Sequence, residues 1–496
     1  MATESALEQT RAENEFLEEN LDPNRWKALF VIAISQLMLV LDASIVNLAI
    51  PSAKADLGIS DVNQQWIITA YTLSFGGLLL LGGRVADYMG RKKALMLGLI
   101  GFAAASAIGG IATSSGMLFA ARALQGVFGA LLAPAALSLI TVNFTLPKER
   151  AKAFGVFGAI SGGGAAIGLL LGGTLTEFLS WRWCLTVNVP ISIVAAVLAS
   201  MYVRESKATK GTTYDIPGAV SVTLGLLSLV YGFTKAAQDG WGASITLTFF
   251  AIALALLTTF VYIELKSPSP LLPMRVVLDR NRAGSYLSSL VVGAGLFSMF
   301  LFLGLYLQVI LGYTPLHAGV AFLPFSIGII LSAGAASNLL PRVGPKPLMT
   351  AGLIVAGFGL VMLTNITPTT SYWTHVFPYM LVMSTGLAFV FIPLSSTALH
   401  GIGHEDAGVA SAMINTSQQV GGSLGTALLN TIASTATVSY MTSNGLTKPD
   451  ANAFTHGYVA AFWTGSALLA LGVVVIIAFI RIGKESLVET SPAHIG

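Results

Sequence analysis

The chain has 496 residues, 54% of them hydrophobic and 10% charged, against roughly 25% charged in a typical soluble domain. Its 26 basic and 23 acidic side chains are too few to clothe a soluble protein of this length, so the bilayer must solvate most of its surface. A formal net charge of +3 matters less than where the charges sit, and the single cysteine, Cys184, excludes both an intramolecular disulfide and a cysteine-rich metal site.

Residues 1–26 form an acidic, polar tail without the basic start and short apolar stretch of a cleavable signal peptide, and read as a solvated cytoplasmic segment. A helical span needs about 20 mostly apolar residues. Such runs predict helices near 29–50, 65–83, 94–112, 117–142, 153–175, 185–203, 216–235, 243–264, 284–310, 316–340, 347–366, 374–399, 407–434 and 456–480, fourteen in all. An even count puts both termini on one side. With that side cytoplasmic, 21 of the 26 basic residues fall in the tails and inner loops, and only Lys54, Arg182, Lys235 and Lys448 fall in outer loops. That asymmetry satisfies the positive-inside rule.

Within the first run, LVLDASIVNLAIP places Asp42 well inside a span, the only acid so placed. Arg122, in the fourth, is the only buried base. A charge at mid-membrane costs about 2.5–3.5 kcal/mol on insertion scales, so these two mark a functional pair more readily than a packing detail. Counting 1.5 Å per residue puts Asp42 roughly 13 Å before Pro51 and Arg122 roughly 8 Å below the outer end of its helix, depths that allow a shared cavity in the outer half of the membrane.

The link between the second and third helices reads GGRVADYMGRKKAL. Gly83 and Gly90 suit close approach and positive φ, Asp87 can cap a turn or pair with Arg91, and Arg84, Lys92 and Lys93 favour an anionic inner leaflet. The spacing of Gly83, Asp87, Gly90, Arg91, Lys92 and Leu95 resembles the loop signature of the major facilitator superfamily. LFAARALQGVFGA, with Arg122, Gln125 and Gly126, is similar to the fourth helix of proton-coupled members. LDASIVNLAIP and WRWCLTVNVP resemble segments of the fourteen-helix drug:proton antiporters. The resemblance covers the chain from about residue 25 onward. It implies an all-α polytopic membrane protein with two six-helix bundles, at 27–210 and 267–482, two inserted helices at 211–266, and cytoplasmic tails at 1–26 and 483–496.

The fifth helix departs from that pattern. GAISGGGAAIGLLLGG carries Gly158 and Gly162, then Gly164, Gly168 and Gly172, at four-residue spacings that permit close helix packing. Leu169 stands where the family usually has proline, so no kink is encoded there. A faint repeat at an offset of 254 residues aligns Gly90 with Gly344, with Pro341 opposite Asp87. In the second half no charge falls inside a span. Asn415, Gln418 and Gln419 on the thirteenth helix line a cavity or tie helices together, at even odds. Phe300, Tyr306 and Phe389, with Gln125, complete the candidate substrate-cavity residues.

His400 and His404 stand four apart near Glu405 and Asp406, but flanking glycines read as a turn and a metal site is disfavoured. No phosphate-binding G-x-x-x-x-G-K-[ST] loop is present, nor a nucleophile or metal constellation at depth, so ATP-driven transport and intramembrane enzymology are not expected. The expected function is secondary export of a hydrophobic or amphipathic compound, such as an antibiotic or dye, across a bacterial cytoplasmic membrane in exchange for protons. Asp42 and Arg122 would couple the proton, and Gly83, Asp87, Gly90, Arg91 and Lys92 would act as a conformational switch. The alternative is an uncoupled translocator of lipids or lipophilic metabolites. No cofactor, metal or nucleic acid is expected, and the partners are the small substrate, protons and membrane lipids, with the protein a monomer. Asp42→Asn is expected to abolish proton-driven transport and leave the fold intact.

Overall fold

The computed structural model describes residues 22–144, 147–207, 215–268, 270–272, 274–400 and 407–483. The tail at 1–21, His404 and the C-terminal residues from 484 onward lie outside them. In chain order the long helices are α1 (Arg25–Leu57), α2 (Trp66–Met89), α3 (Arg91–Gly110), α4 (Ser115–Asn143), α5 (Pro147–Phe178), α6 (Trp183–Tyr202), α7 (Ile216–Asp239), α8 (Ser244–Lys266), α9 (Arg280–Ile310), α10 (Pro315–Val343), α11 (Pro345–Leu363), α12 (Tyr372–Leu399), α13 (Ala407–Ser443) and α14 (Ala451–Phe479). Among the described residues, eleven helices are long and apolar enough to cross a membrane: α1, α3, α4, α6 to α12 and α14. In α2 and α5 the apolar stretches are shorter, Trp66–Leu79 and Gly164–Phe178.

Short polar side chains set where several helices begin. Ser114, Asp215, Asp279, Thr314 and Asp450 each accept a hydrogen bond from a first-turn amide, for example Asp450 from Ala453 at 2.8 Å. These caps satisfy amides that have no partner within the helix. Helix ends are less legible in sequence. α1 runs through Pro51 to Leu57, beyond the expected end near residue 50, because proline forfeits one backbone bond without preventing the next turn. Asp42 therefore lies near the middle of a 33-residue helix and not in its outer part. α13 likewise continues to Ser443.

Two glycines confirm the internal repeat in backbone geometry. Gly90 (φ 108°) alone joins α2 to α3, and Gly344 (φ 87°) alone joins α10 to α11. Such positive φ values favour glycine.

In the first half α2 and α3 pack on α4, α1 on α5, and α3 on α6. In the second, α9 packs on α13 and α14, and α11 and α10 on α12. The halves meet where α5 faces α10 and where α2 faces α13, while α7 packs on α8 and sets that pair against α13 and α2. Helices alternate in direction, so Arg25 and Phe479 share one face of the bundle, the terminal face. On the opposite, far face the halves are tied: the Leu316 amide donates to Glu177 Oε2 (3.0 Å) and Asn430 Nδ2 donates to the Val62 carbonyl (3.1 Å), while Thr431 Oγ1 donates to the Phe233 carbonyl and fastens α13 to α7 (2.9 Å). Deeper along the same seam Thr72 and Ser423 hydroxyls share a bond of 2.5 Å. α10 exposes Ile327, Ile330 and Leu331 near its midpoint, apolar surface of the kind lipid covers.

Candidate functional site

The site grows from four helices that converge on α1. Glycines permit the approach: a Cβ on Gly126 of α4 would meet the Tyr71 carbonyl and lie 2.8 Å from Ser74 Cβ on α2, and one on Gly172 of α5 would lie 2.5 Å from the Ile45 carbonyl of α1. Gly164 faces Val40 on the same seam, with 2.9 Å left for a Cβ. The packing of Gly158 and Gly162 lies outside the described residues. The α5 helix passes through Leu169 without interruption, as a sequence lacking proline there requires.

At this junction Arg122 Nη1 donates to Asp42 Oδ2 at 2.7 Å, and both side chains are essentially unexposed, at 1% and 0%. Asp42 Oδ1 accepts from Gln125 Nε2 (3.0 Å) and from Asn188 Nδ2 on α6 (2.8 Å). Arg122 also donates from Nε to the Ile67 carbonyl (2.9 Å) and from Nη1 to Gln125 Oε1 (2.7 Å), and its guanidinium stacks over the Tyr71 ring at 4.5 Å. Gln125 Nε2 reaches Ser106 Oγ on α3 at 2.7 Å. Every group touching the Asp42 oxygens is a donor, an arrangement suited to a carboxylate. Desolvating two charges costs several kcal/mol per ion, which is recovered only with good geometry and additional hydrogen bonds, and this network supplies both. Beside Arg122 a cavity of about 10 Å³, bounded by Val46, Ile67, Leu118, Trp181 and Cys184, has room for a single water and none for an organic substrate.

The sequence brought Asp42 and Arg122 into one neighbourhood, and the structure joins them directly. It moves Gln125 out of the substrate-cavity set, because this side chain is wholly buried inside the ion-pair network. Tyr306 also leaves that set: it is buried in a π-helical turn at the end of α9, and its hydroxyl donates to the Thr367 carbonyl at 2.7 Å, fastening the link between α11 and α12. Phe300 is half-buried and packs on Phe322 and Phe325 of α10 at 5.3 and 5.2 Å. Phe389 lies against Gly352 between α12 and α11. Asn415 is exposed, Gln418 is half-buried with its carbonyl close to Gly293 of α9, and Gln419 packs against Gly76 where the halves meet. Asn188, Ser106 and Tyr71 were not anticipated. Asn188 lies within the WRWCLTVNVP segment, a signal that could have found it, whereas Ser106 and Tyr71 carry no comparable signal.

In the α2–α3 link, the close approach belongs to Gly82 and not Gly83. A Cβ on Gly82 would collide with the Ala130 carbonyl of α4, while one on Gly83 would make an ordinary 3.5 Å contact with Pro134. The one-residue shift follows from helical phase, since α2 continues through both glycines. The Arg91 amide donates to the Ser206 carbonyl (2.9 Å) and the Lys92 amide to Glu205 Oε1 (3.1 Å), docking the start of α3 on the segment after α6. Lys92 Nζ donates to the Ser200 carbonyl at 2.8 Å. Arg84 Nη2 donates to the Pro270 carbonyl (3.1 Å), which ties the end of α2 to the chain leaving α8. The Asp87 side chain lies outside the described residues, as does His404. Among the described residues no three His, Cys, Asp or Glu side chains group as a metal site would need.

Comparison with known proteins places these features in context. The family model described as Major Facilitator Superfamily matches residues 32–426. The chain is 45% identical over 479 residues to the puromycin resistance protein pur8 of Streptomyces alboniger, covering 96% of this chain and 95% of that one. It is 36% identical to the cephamycin export protein CmcT of Amycolatopsis lactamdurans, covering 83% and 85%, and 33% identical to the transporter EfpA of Mycobacterium tuberculosis, covering 91% and 86%. Among solved structures, a bacterial homologue of the human lysosomal transporter Spinster superposes with a TM-score of 0.65 at 15% identity, over 95% of this chain and all of that one. A peptide transporter of the POT family gives 0.66 at 16% identity, over 92% and 98%.

Proposed function

Since the chain belongs to the major facilitator superfamily, and is accordingly a membrane transporter and not an enzyme, we propose that it exports a hydrophobic or amphipathic compound of the antibiotic or dye type from a bacterial cytoplasm in exchange for protons. The relatives named for puromycin resistance and cephamycin export support the direction and the substrate class. The positive-inside asymmetry supports fourteen spans with both termini cytoplasmic, as two six-helix bundles flanking the inserted pair α7 and α8. On that orientation the far face, where the halves are tied, is external.

One observation carries the coupling: a fully buried Asp42 whose oxygens accept only from donors, paired with Arg122, next to a cavity too small for substrate. The pair therefore does not act by holding cargo. With Asp42 ionised and bound to Arg122, the inward-facing state is the one that has released its proton and can load substrate. Taking up a proton from outside neutralises Asp42 and removes the counter-charge of Arg122. That leaves a buried cation whose stabilisation requires α1 and α4 to readjust. Exchange follows when substrate loads only while Asp42 is ionised, so that proton and substrate favour opposite states. The α2–α3 link, with Gly83, Asp87, Gly90, Arg91 and Lys92, would act as a cytoplasmic latch on that exchange.

The test is substrate-driven proton movement in proteoliposomes, with puromycin first and then cationic dyes and fluorescent lipids. Proton release that accompanies uptake of one class, and vanishes when Asp42 is replaced, supports antiport. Transport that ignores both the gradient and Asp42 would establish the uncoupled translocator instead.

A further inference from the structure

Protonating Asp42 poses a hydrogen-bonding problem that the network answers at one residue. In the present state three donors face its oxygens: Arg122 Nη1, Gln125 Nε2 and Asn188 Nδ2. A carboxylic acid must also donate, so a neighbour has to offer an acceptor. Arg122 has none to give. Gln125 is fully committed, since Oε1 accepts from Arg122 while Nε2 serves both Asp42 and Ser106. Asn188 differs. Its Nδ2 donates to Asp42 at 2.8 Å, yet its Oδ1 is buried and has no partner. Among the described residues Gln64, Gln65 and Gln419 also bury an unpaired amide oxygen, but of the four only Asn188 bonds Asp42.

The backbone around Asn188 is suited to movement. α6 is interrupted at Val187, between the segments Trp183–Thr186 and Asn188–Tyr202, because Pro190 cannot offer an amide to the Thr186 carbonyl. Asn188 opens the second segment, where the helical ladder is already broken.

We propose that Asn188 is the protonation-responsive partner of Asp42, donating from Nδ2 while Asp42 is ionised and, after a half-turn of its amide, accepting the carboxylic proton on the otherwise idle Oδ1. The reading rests on Asp42 being the proton-carrying group. Each protonation state of Asp42 then has a matched amide orientation, and Asn188 is a positioning residue that holds whichever form is present. The other titratable or charged groups acting on Asp42 are Arg122 from α4, Tyr71 from α2 and Cys184 from α6. None of these has a spare acceptor in contact with the Asp42 oxygens.

The experiment is an infrared-difference titration of the purified, lipid-embedded protein, with the protonated Asp42 carbonyl band identified by its loss in Asp42→Asn. Asn188→Leu removes both donor and acceptor, whereas Asn188→Ser keeps a hydroxyl able to play either part. In Asn188→Leu the band should move to higher wavenumber and the titration midpoint to higher pH, by about tenfold in proton affinity, since a charge-assisted bond to the carboxylate outweighs the neutral bond lost with it. Asn188→Ser should restore both toward wild type. A band and midpoint unchanged in Asn188→Leu would overturn the proposal. An Asp42 that titrates as described in a protein that moves no protons with substrate would uphold the role of Asn188 and overturn the antiport reading. An Asp42 that never takes a proton would overturn both.

Discussion

Replacing Asp42 by asparagine tests the energetics of the ion pair before any question of transport. In the wild type Arg122 is buried with one counter-charge, Asp42 at 2.7 Å, and two neutral acceptors, the Ile67 carbonyl and Gln125 Oε1. Asp42→Asn leaves the guanidinium uncompensated, and removing one partner of a buried pair costs about 3–5 kcal/mol. Stacking on Tyr71 is already present in the wild type and offsets none of that difference. The fold-neutral outcome expected from sequence alone is therefore replaced by substantial destabilisation, on the order of 10 °C in apparent melting temperature. Asp42→Asn combined with Arg122→Gln removes both charges and keeps a donor for the Ile67 carbonyl, so it should recover to within about 1 kcal/mol of the wild type. The assay is thermal unfolding of the three proteins in one detergent at neutral pH. A single variant that melts with the wild type, or a double variant no better than the single, would refute the pairing energetics.

Gly126→Val should destabilise by about 1–3 kcal/mol through overpacking, because its side chain would run into the Tyr71 carbonyl and Ser74, and the cost is read from the same melts. Asn430→Ala removes a far-face tie between the halves, and spin-label distances across that face should lengthen as the outward-open population grows; an unchanged distribution would show that these bonds do not hold the gate. Leu169→Pro should cost about 3 kcal/mol by breaking the uninterrupted α5, and wild-type stability in that variant would show that the helix has room for a kink. Arg25 Nε donates to Glu149 Oε2 at 2.8 Å, and this bond holds the Glu149 carboxyl below the usual carboxylate range. A lowered folded value stabilises above the unfolded value and is lost as pH falls through the lowered one. Glu149→Gln should thus be less stable than wild type by up to about 1 kcal/mol at pH 7, with the difference fading below about pH 4.

Much of the architecture was legible because the bilayer permits so few solutions. Long apolar runs and the two lone charges among them stood out against an apolar background, and the glycine-to-glycine offset between 90 and 344 marked two matching helix joints. Helix ends were less legible, since Pro51 looks like a terminus in sequence but costs only one hydrogen bond inside α1. Aromatic and amide residues were the least legible class. Gln125, Tyr306 and Phe300 have the composition of a drug cavity, yet burial assigns the first to the ion pair and the second to a loop tie, which depends on helix rotation that local spacing does not encode. Asn188 reaches Asp42 from 146 residues away, a contact that arises only when α6 folds against α1.

Proton coupling is tested most directly by imposing a pH gradient, with the substrate-facing compartment alkaline, on proteoliposomes that contain the wild-type protein and following puromycin against its concentration gradient. The account predicts accumulation that collapses when a protonophore dissipates the gradient. Accumulation that persists without the gradient, or transport that only ever equilibrates puromycin, would contradict it.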